Sequence, residues 1–518
     1  MVDFPFGPNA LTPLRFLDRS REVYADRTAY ADDSLEYTYG DLGDRSDRLA
    51  GALRRLGVKP GDRVSVLCPN TNVALEAHFG VPGAGAVLNS LNTRLSATEL
   101  EYIIGHAGSN VVVVDHELLA LGREAAKSHQ VRLVVAGGPD DEYEHLVETA
   151  EPFRRRLDDE WSLLSLNYTS GTTGRPKGVM YAHRGAYLQS LAMSTQLSLR
   201  NDMVFLWTLP MFHCNGWCFP WAVTAVGGMH VGLRKVTPGD IWESIRLRGV
   251  THFNAAPTVL TDLVNHPSAL LGAADPPIRV ATGGAPPSPT LLKRLADLHI
   301  DVTHLYGLTE TYGPAALCDW RPEWGHLAPD EQARLRARQG VGNVVSDNVR
   351  VIQPDGSDVL RNGETVGEVV LRGDNVMLGY FRDEEATAAA NIGGWFRTGD
   401  LGVMHPDGYI ELRDRAKDVI ISGGENIASI EVEQALASHP DVVESAVVGA
   451  PDERWGEVPV AFVTLRPGSQ VSETDLVDHV KRRIARFKAP KRVFFGPLPK
   501  TATGKIQKFA LRDRASRG

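Results

Sequence analysis

The chain has 518 residues, 43% hydrophobic and 23% charged, with a formal net charge of -9; that balance belongs to a globular protein and excludes a disordered or fibrous one. So mild an acidity over this length gives no polyelectrolyte signal, so nucleic acid is not an expected partner and any basic site must be local. At roughly 150 residues per domain, the length requires more than one core.

The N-terminus, Met1-Val2-Asp3-Phe4-Pro5-Phe6-Gly7-Pro8, has neither a basic n-region nor an apolar h-region, so no secretory signal is expected. Helical patterning over Tyr39 to Leu56, then the β-rich run Arg63-Val64-Ser65-Val66-Leu67, begins an alternation that favours parallel α/β layers. The longest apolar runs, such as Val111 to Val114, fall far short of the ~18 to 20 residues of a bilayer span and are expected to be buried strands. A second α/β stretch runs from about Trp161 to Gly340. The Gly- and Val-rich segment Val349 to Gly379 follows, with hairpin-like spacing and a turn signal at Asn362-Gly363-Glu364. From Asp414 the pattern becomes a compact unit with helices expected at Ser429 to Ala437 and Glu473 to Arg486. Cys68, Cys214, Cys218 and Cys318 have neither metal-ligand spacing nor a disulfide framework, which fits a reduced, cytoplasmic protein.

The most informative run is Tyr168-Thr169-Ser170-Gly171-Thr172-Thr173-Gly174-Arg175-Pro176-Lys177-Gly178-Val179. Its glycines let successive N–H groups aim at one point, while hydroxyls and a lysine add donors, and polyphosphate is the ligand that needs such a cradle. It is not a Walker A loop, because Pro176 precedes Lys177 and Gly178 follows it. Gly83-Ala84-Gly85-Ala86-Val87-Leu88 lacks the third glycine of a Rossmann turn.

The run Ser170 to Gly178 resembles the phosphate loop of the adenylate-forming superfamily of acyl-CoA synthetases, peptide-synthetase adenylation domains and firefly-type luciferases. In that family's order the chain also carries Gly283-Gly284-Ala285-Pro286, Tyr306-Gly307-Leu308-Thr309-Glu310, Thr398-Gly399-Asp400, Asp414-Arg415-Ala416-Lys417-Asp418, Ser422-Gly423-Gly424-Glu425-Asn426 and Pro499-Lys500-Thr501-Ala502-Thr503-Gly504-Lys505. The resemblance covers nearly the whole chain. It implies an α/β fold: a large N-terminal domain of doubly wound sheets with a small β-barrel-like subdomain over residues 1–413, then a small, mobile α+β C-terminal domain over residues 414–518, hinged near Lys417. It also implies an ATP-dependent acyl-CoA synthetase, with a homodimer as a candidate assembly.

The implied chemistry assigns each segment a task. A carboxylate repels nucleophiles and needs a leaving group, which ATP supplies as AMP; the charge that grows on the phosphoryl oxygens calls for fixed cations and N–H dipoles. By resemblance, Thr169 to Gly174 and Lys177 hold the β- and γ-phosphates, and Glu310 with Thr172 places Mg²⁺. Asp400 takes the ribose hydroxyls, Gly283 to Pro286 with His304, Leu305, Tyr306, Gly307 and Thr309 surround the nucleotide, and Arg415 sits near ribose and phosphate. Lys505 enters from the small domain and neutralises charge at the acyl carboxylate and α-phosphate. After rotation about Lys417, Gly423, Gly424 and Glu425 line the path of coenzyme A. The basic run Lys481, Arg482, Arg483, Arg486, Lys488, Lys491 and Arg492 is either a further CoA contact or a solvated face.

The acyl pocket is expected to use His213, Trp217, Gly283 and Tyr306. In amino-acid-activating relatives an Asp follows the phenylalanine of the Phe212-His213 stretch and pairs with the ammonium; His213 here leaves that ammonium unpaired, so an uncharged tail is expected. The segments Pro210 to Trp217 and Cys318 to Gly325 resemble the branch of 3-methylmercaptopropionate-CoA ligases and short- to medium-chain or aryl acyl-CoA synthetases. A luciferase-like monooxygenase, an acyl-AMP ligase loading a carrier protein and a catalytically silent nucleotide-binding protein are the alternatives.

Overall fold

The computed structural model describes residues 9–169, 175–271, 274–415, 418–422, 425–501 and 506–517. Its first sheet grows from strands that are apolar on both faces because helices cover both sides. Arg63–Leu67 lies between Val87–Ser90 and Ser109–Asp115, all parallel, and Arg132–Ala136 and Leu163–Tyr168 extend the parallel set outward. Gly178–Ala182 and Gly379–Tyr380 add antiparallel strands at one edge. The covering helices start where the sequence can cap them. Tyr39–Arg55 has a capping box between Thr38 and Asp41, and Ala97–Ala107 has one between Ser96 and Glu99.

The second sheet has nine strands, with Ile300–Leu308, Ile278–Thr282, His252–Ala255, Val204–Leu206, Met229–Val231 and Thr28–Ala31 parallel at its centre. The two sheets share a core in which Phe79, Leu88 and Leu164 join Phe205, Trp207 and Leu305. Parallel strands point their C-terminal ends at one edge, where α/β folds place ligands.

Where a small β-barrel-like subdomain is expected, the chain forms a five-stranded sheet in which Trp395–Met404 pairs antiparallel with Gly367–Leu371 and with Ile410–Arg415. The turn expected at Asn362-Gly363-Glu364 is present: Asn362 Oδ1 accepts the N–H groups of Glu364 and Thr365, both at 2.9 Å. It sits inside a long connection between Arg350–Ile352 and Gly367–Leu371, which pair antiparallel.

Beyond Asp418 a further sheet, centred on Val442–Asp452 and Gly456–Leu465, packs with helix Ser429–Ala437 around Val432, Val447, Val463 and Leu476. The helix that begins at Glu473 ends at Lys481 rather than at Arg486. Continued, it would stack Arg482, Arg483 and Arg486 at repulsive i,i+3 and i,i+4 spacings, and instead Ala485 turns to φ -55, ψ 133. Among the described residues no helix is long and apolar enough to cross a membrane. All four cysteines are free and buried.

Candidate active site

At one end of the cleft the strand Leu163–Tyr168 leads into the glycine-rich loop and returns antiparallel as Gly178–Ala182. This is strand–loop–strand, whereas a P-loop runs strand–loop–helix. The loop neck is closed by Thr169 N–H donating to the Lys177 carbonyl at 3.0 Å and Lys177 N–H donating to Thr169 Oγ1 at 3.2 Å. Ser170, Gly171, Thr172, Thr173 and Gly174 lie outside the described residues. The Lys177 ammonium stands 4.8 Å from the centroid of the Tyr380 ring. Glu310 is presented by the turn Thr309–Thr311, at the C-terminal end of strand Ile300–Leu308. The Tyr380 hydroxyl donates to Glu310 Oε1 at 2.8 Å.

In the middle of the cleft, Asp400 and Arg415 are cross-strand partners in the third sheet. Arg415 Nε lies 2.9 Å from Asp400 Oδ1, and the Tyr306 hydroxyl donates to Oδ2 at 2.8 Å. A carboxylate has about four lone-pair sites, so these two bonds orient Asp400 and leave acceptor capacity for a diol. Burial, then the charge of Asp400, acts most on Arg415, and Glu310 is near enough to add a smaller influence. Gly283 follows strand Ile278–Thr282 and is buried; a Cβ there would lie 2.9 Å from the Leu305 carbonyl oxygen. Gly284 has φ +86 and is exposed with Ala285, while Pro286 is half-buried. A Cβ on Gly307 would lie 1.9 Å from the Gly313 carbonyl oxygen, so only glycine fits that crossing. Leu305 is buried, and the Thr309 carbonyl accepts from the Tyr181 hydroxyl.

His304, expected among the nucleotide residues, lies in strand Ile300–Leu308. Its imidazole is buried, Nδ1–H is shared between the carbonyls of Ala337 and Arg338 at 3.0 and 2.9 Å, and its own carbonyl accepts Cys318 N–H. Burial lowers its pKa to about 4. These bonds anchor the His304 ring to the Ala337 and Arg338 backbone.

In the segment expected to line the acyl pocket, Cys214, Asn215, Gly216, Trp217 and Cys218 have φ of 49, 47, 58, 59 and 66, a left-handed turn. Asn215 anchors it: Oδ1 accepts from Ser165 Oγ at 2.8 Å and the Tyr312 hydroxyl at 3.1 Å, and Nδ2 meets His78 Nε2 at 3.0 Å. The turn lays the Trp217 indole, 6% exposed, across two glycines. A Cβ on Gly313 would lie 2.9 Å from Trp217 Cδ1, and one on Gly283 3.2 Å from Cη2. His213 precedes the turn, half-buried, with Nε2 4.0 Å from Cys214 Sγ. Burial pushes the Cys214 thiol up to about 12, so it is no nucleophile.

Where strand Ile410–Arg415 leaves the third sheet, Asp414 Oδ2 accepts Ser429 N–H, and Lys508 Nζ donates to Ser429 Oγ at 2.6 Å while pairing with Glu433 at 2.8 Å. Asp418 pairs with Arg512. Lys417, Gly423, Gly424 and Lys505 lie outside the described residues; Glu425 is exposed, opposite Ser422. Within the basic run, Lys481 pairs with Asp478, Lys488 with Glu431, Arg483 bonds His479 and Arg492 bonds the Ala515 carbonyl. Much of that charge therefore serves the fold. Sequence reasoning missed Tyr380, Gly313 and Asn215, whose parts depend on neighbours distant in the chain.

A family model described as AMP-binding enzyme matches residues 17–381, and one described as AMP-binding enzyme C-terminal domain matches residues 431–505. An acetate–CoA ligase of Humulus lupulus is 44% identical to the chain, covering 98% of it and 95% of the relative. An acetate/butyrate–CoA ligase of Arabidopsis thaliana, named as peroxisomal, is 43% identical over 99% of the chain and 95% of its own length. Among solved structures, a benzoate CoA ligase from Burkholderia xenovorans superimposes with a TM-score of 0.87 at 26% identity, covering 97% of this chain and 99% of that one.

Proposed function

We propose, from the premise that the chain belongs to the AMP-binding enzyme family, that its cleft activates a short-chain carboxylic acid and hands the acyl group to coenzyme A. The chain is an AMP-forming acid–thiol ligase: acid and ATP give acyl-AMP and pyrophosphate, and acyl-AMP and CoA give acyl-CoA and AMP. The observation that carries the residue-level reading is the linked series Lys177, Tyr380, Glu310, Arg415, Asp400 and Tyr306, drawn from separate segments onto one cleft.

In this reading Lys177 and the loop Thr169 to Gly174 bind the β- and γ-phosphates, and Asp400, oriented by Tyr306 and Arg415, accepts the ribose hydroxyls. Glu310 and Thr172 hold Mg²⁺. The fit rests on Glu310, whose Oε1 is bonded by Tyr380 and whose Oε2 has no partner among the described residues. Among those residues no cluster of three or more metal-ligating side chains exists. One free carboxylate oxygen suits an ion that brings its other ligands as phosphates and water. Bound there, the ion neutralises phosphate charge. Gly283 to Pro286 with His304, Leu305, Tyr306, Gly307 and Thr309 enclose the nucleotide, and Lys505 neutralises the acyl carboxylate and α-phosphate as the new bond forms. Residues 414–518 form the mobile unit, turning about Lys417 so that Gly423, Gly424 and Glu425 meet coenzyme A.

The acid is short and uncharged along its tail. In this reading Trp217, which lies across Gly283 and Gly313, closes the acyl pocket with His213 and Tyr306 as its flanks, and none of these side chains offers a carboxylate to an ammonium. The acetate and butyrate named for the relatives support the same size class. The free cysteines support a reducing compartment, the cytoplasm or the peroxisome named for the Arabidopsis relative, and a homodimer is the assembly to test by light scattering.

The deciding experiment measures pyrophosphate release over linear, branched and aromatic acids, with and without CoA, and acyl-CoA by mass spectrometry. Acetate to pentanoate should release pyrophosphate and form thioester. Pyrophosphate without thioester for every acid would point to a carrier-protein acceptor, and release only with aromatic acids would remove the short-chain assignment.

A further inference from the structure

The stretch from Met377 to Phe381 bonds to both arms of the phosphate end. Met377 N–H donates to the Glu310 carbonyl at 2.8 Å, while Leu378 and Phe381 N–H donate to the carbonyls of Met180 at 3.0 Å and Gly178 at 2.7 Å, on the strand that issues from Lys177. Tyr380 N–H is held by Thr387 Oγ1 at 2.9 Å. The ring, 8% exposed, is therefore fixed between an anion and a cation. Its hydroxyl donates to Glu310 Oε1, and its face lies 4.8 Å from the Lys177 ammonium.

We propose that Tyr380 is a positioning residue for nucleotide activation: its edge orients Glu310, its face holds Lys177, and its bulk keeps the two from neutralising each other. The role rests on the assignments of Glu310 and Lys177 above. A phenolic O–H is a hydrogen-bond donor, and here it is committed to Glu310 Oε1. With Oε1 committed, Oε2 is the oxygen offered to a cation. The negative ring face attracts the ammonium and restricts a side chain that otherwise loses much rotamer freedom on binding phosphate. No ion pair among the described residues joins Lys177 to Glu310.

The test is calorimetric titration of ATP into the full chain, without acid, across a series of Mg²⁺ concentrations. Tyr380→Phe keeps the ring and removes the hydrogen bond; the Mg²⁺ concentration for half-maximal ATP binding should rise about tenfold, the low end for a hydrogen bond to a charged group. Tyr380→Leu removes both contacts and should also weaken ATP binding at saturating Mg²⁺, by about threefold. In a Glu310→Gln background Tyr380→Phe should add nothing. An unshifted Mg²⁺ requirement in Tyr380→Phe, alongside a shifted one in Glu310→Gln, overturns this proposal alone. An unshifted requirement in Glu310→Gln overturns the placement of Glu310 and this proposal with it. Tyr380→Phe is nearly isosteric, and an unchanged melting temperature separates positioning from folding.

Discussion

The two ends of the cleft are built by opposite means. The end proposed to bind phosphate is a set of charges: Lys177 against the Tyr380 ring, whose hydroxyl meets Glu310, and Arg415 paired with Asp400. The acyl end is built by backbone. Four non-glycine residues, Cys214, Asn215, Trp217 and Cys218, hold positive φ, a conformation that costs about 1–2 kcal/mol for each. Asn215 offsets that cost with hydrogen bonds to Ser165, Tyr312 and His78, and the burial of Trp217 adds to them. In the proposed reading, the charges meet the triphosphate of ATP, common to every turnover, and strain and shape meet the acyl tail, which differs between acids.

The sharpest way to break that contrast is Trp217→Ala. Removing a buried tryptophan costs about 3–5 kcal/mol of stability, which denaturant unfolding would measure. The space opened between Gly283 and Gly313 should raise the ratio of kcat/KM for hexanoate over acetate by roughly tenfold or more, with KM for ATP unchanged. An unaltered ratio would mean that Trp217 packs the core without measuring the acid. The corresponding test at the charged end is Lys505→Ala, expected to slow acyl-AMP formation on the order of 10²- to 10³-fold, as does loss of one transition-state donor. Thioester formation from synthetic acyl-AMP should stay nearly intact, and equal loss in both half-reactions would remove Lys505 from activation.

The contrast also explains what could be read from the chain. Charged and glycine-rich segments such as Thr169 to Lys177 and Thr398 to Asp400 advertise their chemistry locally, and helix Ser429–Ala437 falls where its pattern puts it. His304 reads as one more residue of a nucleotide segment, and its hydrogen bonds to the carbonyls of Ala337 and Arg338 appear only in the fold. The helix from Glu473 reads through to Arg486 if repulsion among its cations is left out. Tyr380 is an ordinary strand tyrosine until Glu310, 70 positions away, accepts its hydroxyl. Gly313 matters because Trp217 lies across it. Properties that depend on a partner from another segment are the ones a linear pattern leaves out.

His78 gives the smallest predicted effect and separates the two ends by pH. Its Nδ1–H donates to the Ala74 carbonyl at 2.7 Å, so Nε2 is the acceptor for Asn215 Nδ2. Burial lowers its pKa from 6.5 to about 4, with the Ala74 bond acting the other way. In the unfolded chain it takes a proton below about 6.5, while in the folded protein it stays neutral until about 4. The unfolded state thus binds more protons between these values, so stability falls as pH falls, by about 1.4 kcal/mol per pH unit for this histidine. His183, His230 and His304, lowered to about 3, 3 and 4 by burial, add to the same slope. His78→Gln, which cannot titrate, should reduce the slope between pH 6 and 5 by one proton's worth in denaturant unfolding at each pH. Protonating Nε2 also converts the acceptor facing Asn215 Nδ2 into a second donor, which loosens the left-handed turn and Trp217 with it. On acidification KM for the acid should therefore rise before KM for ATP, and simultaneous rises would mean that His78 supports the core as a whole rather than the acyl end.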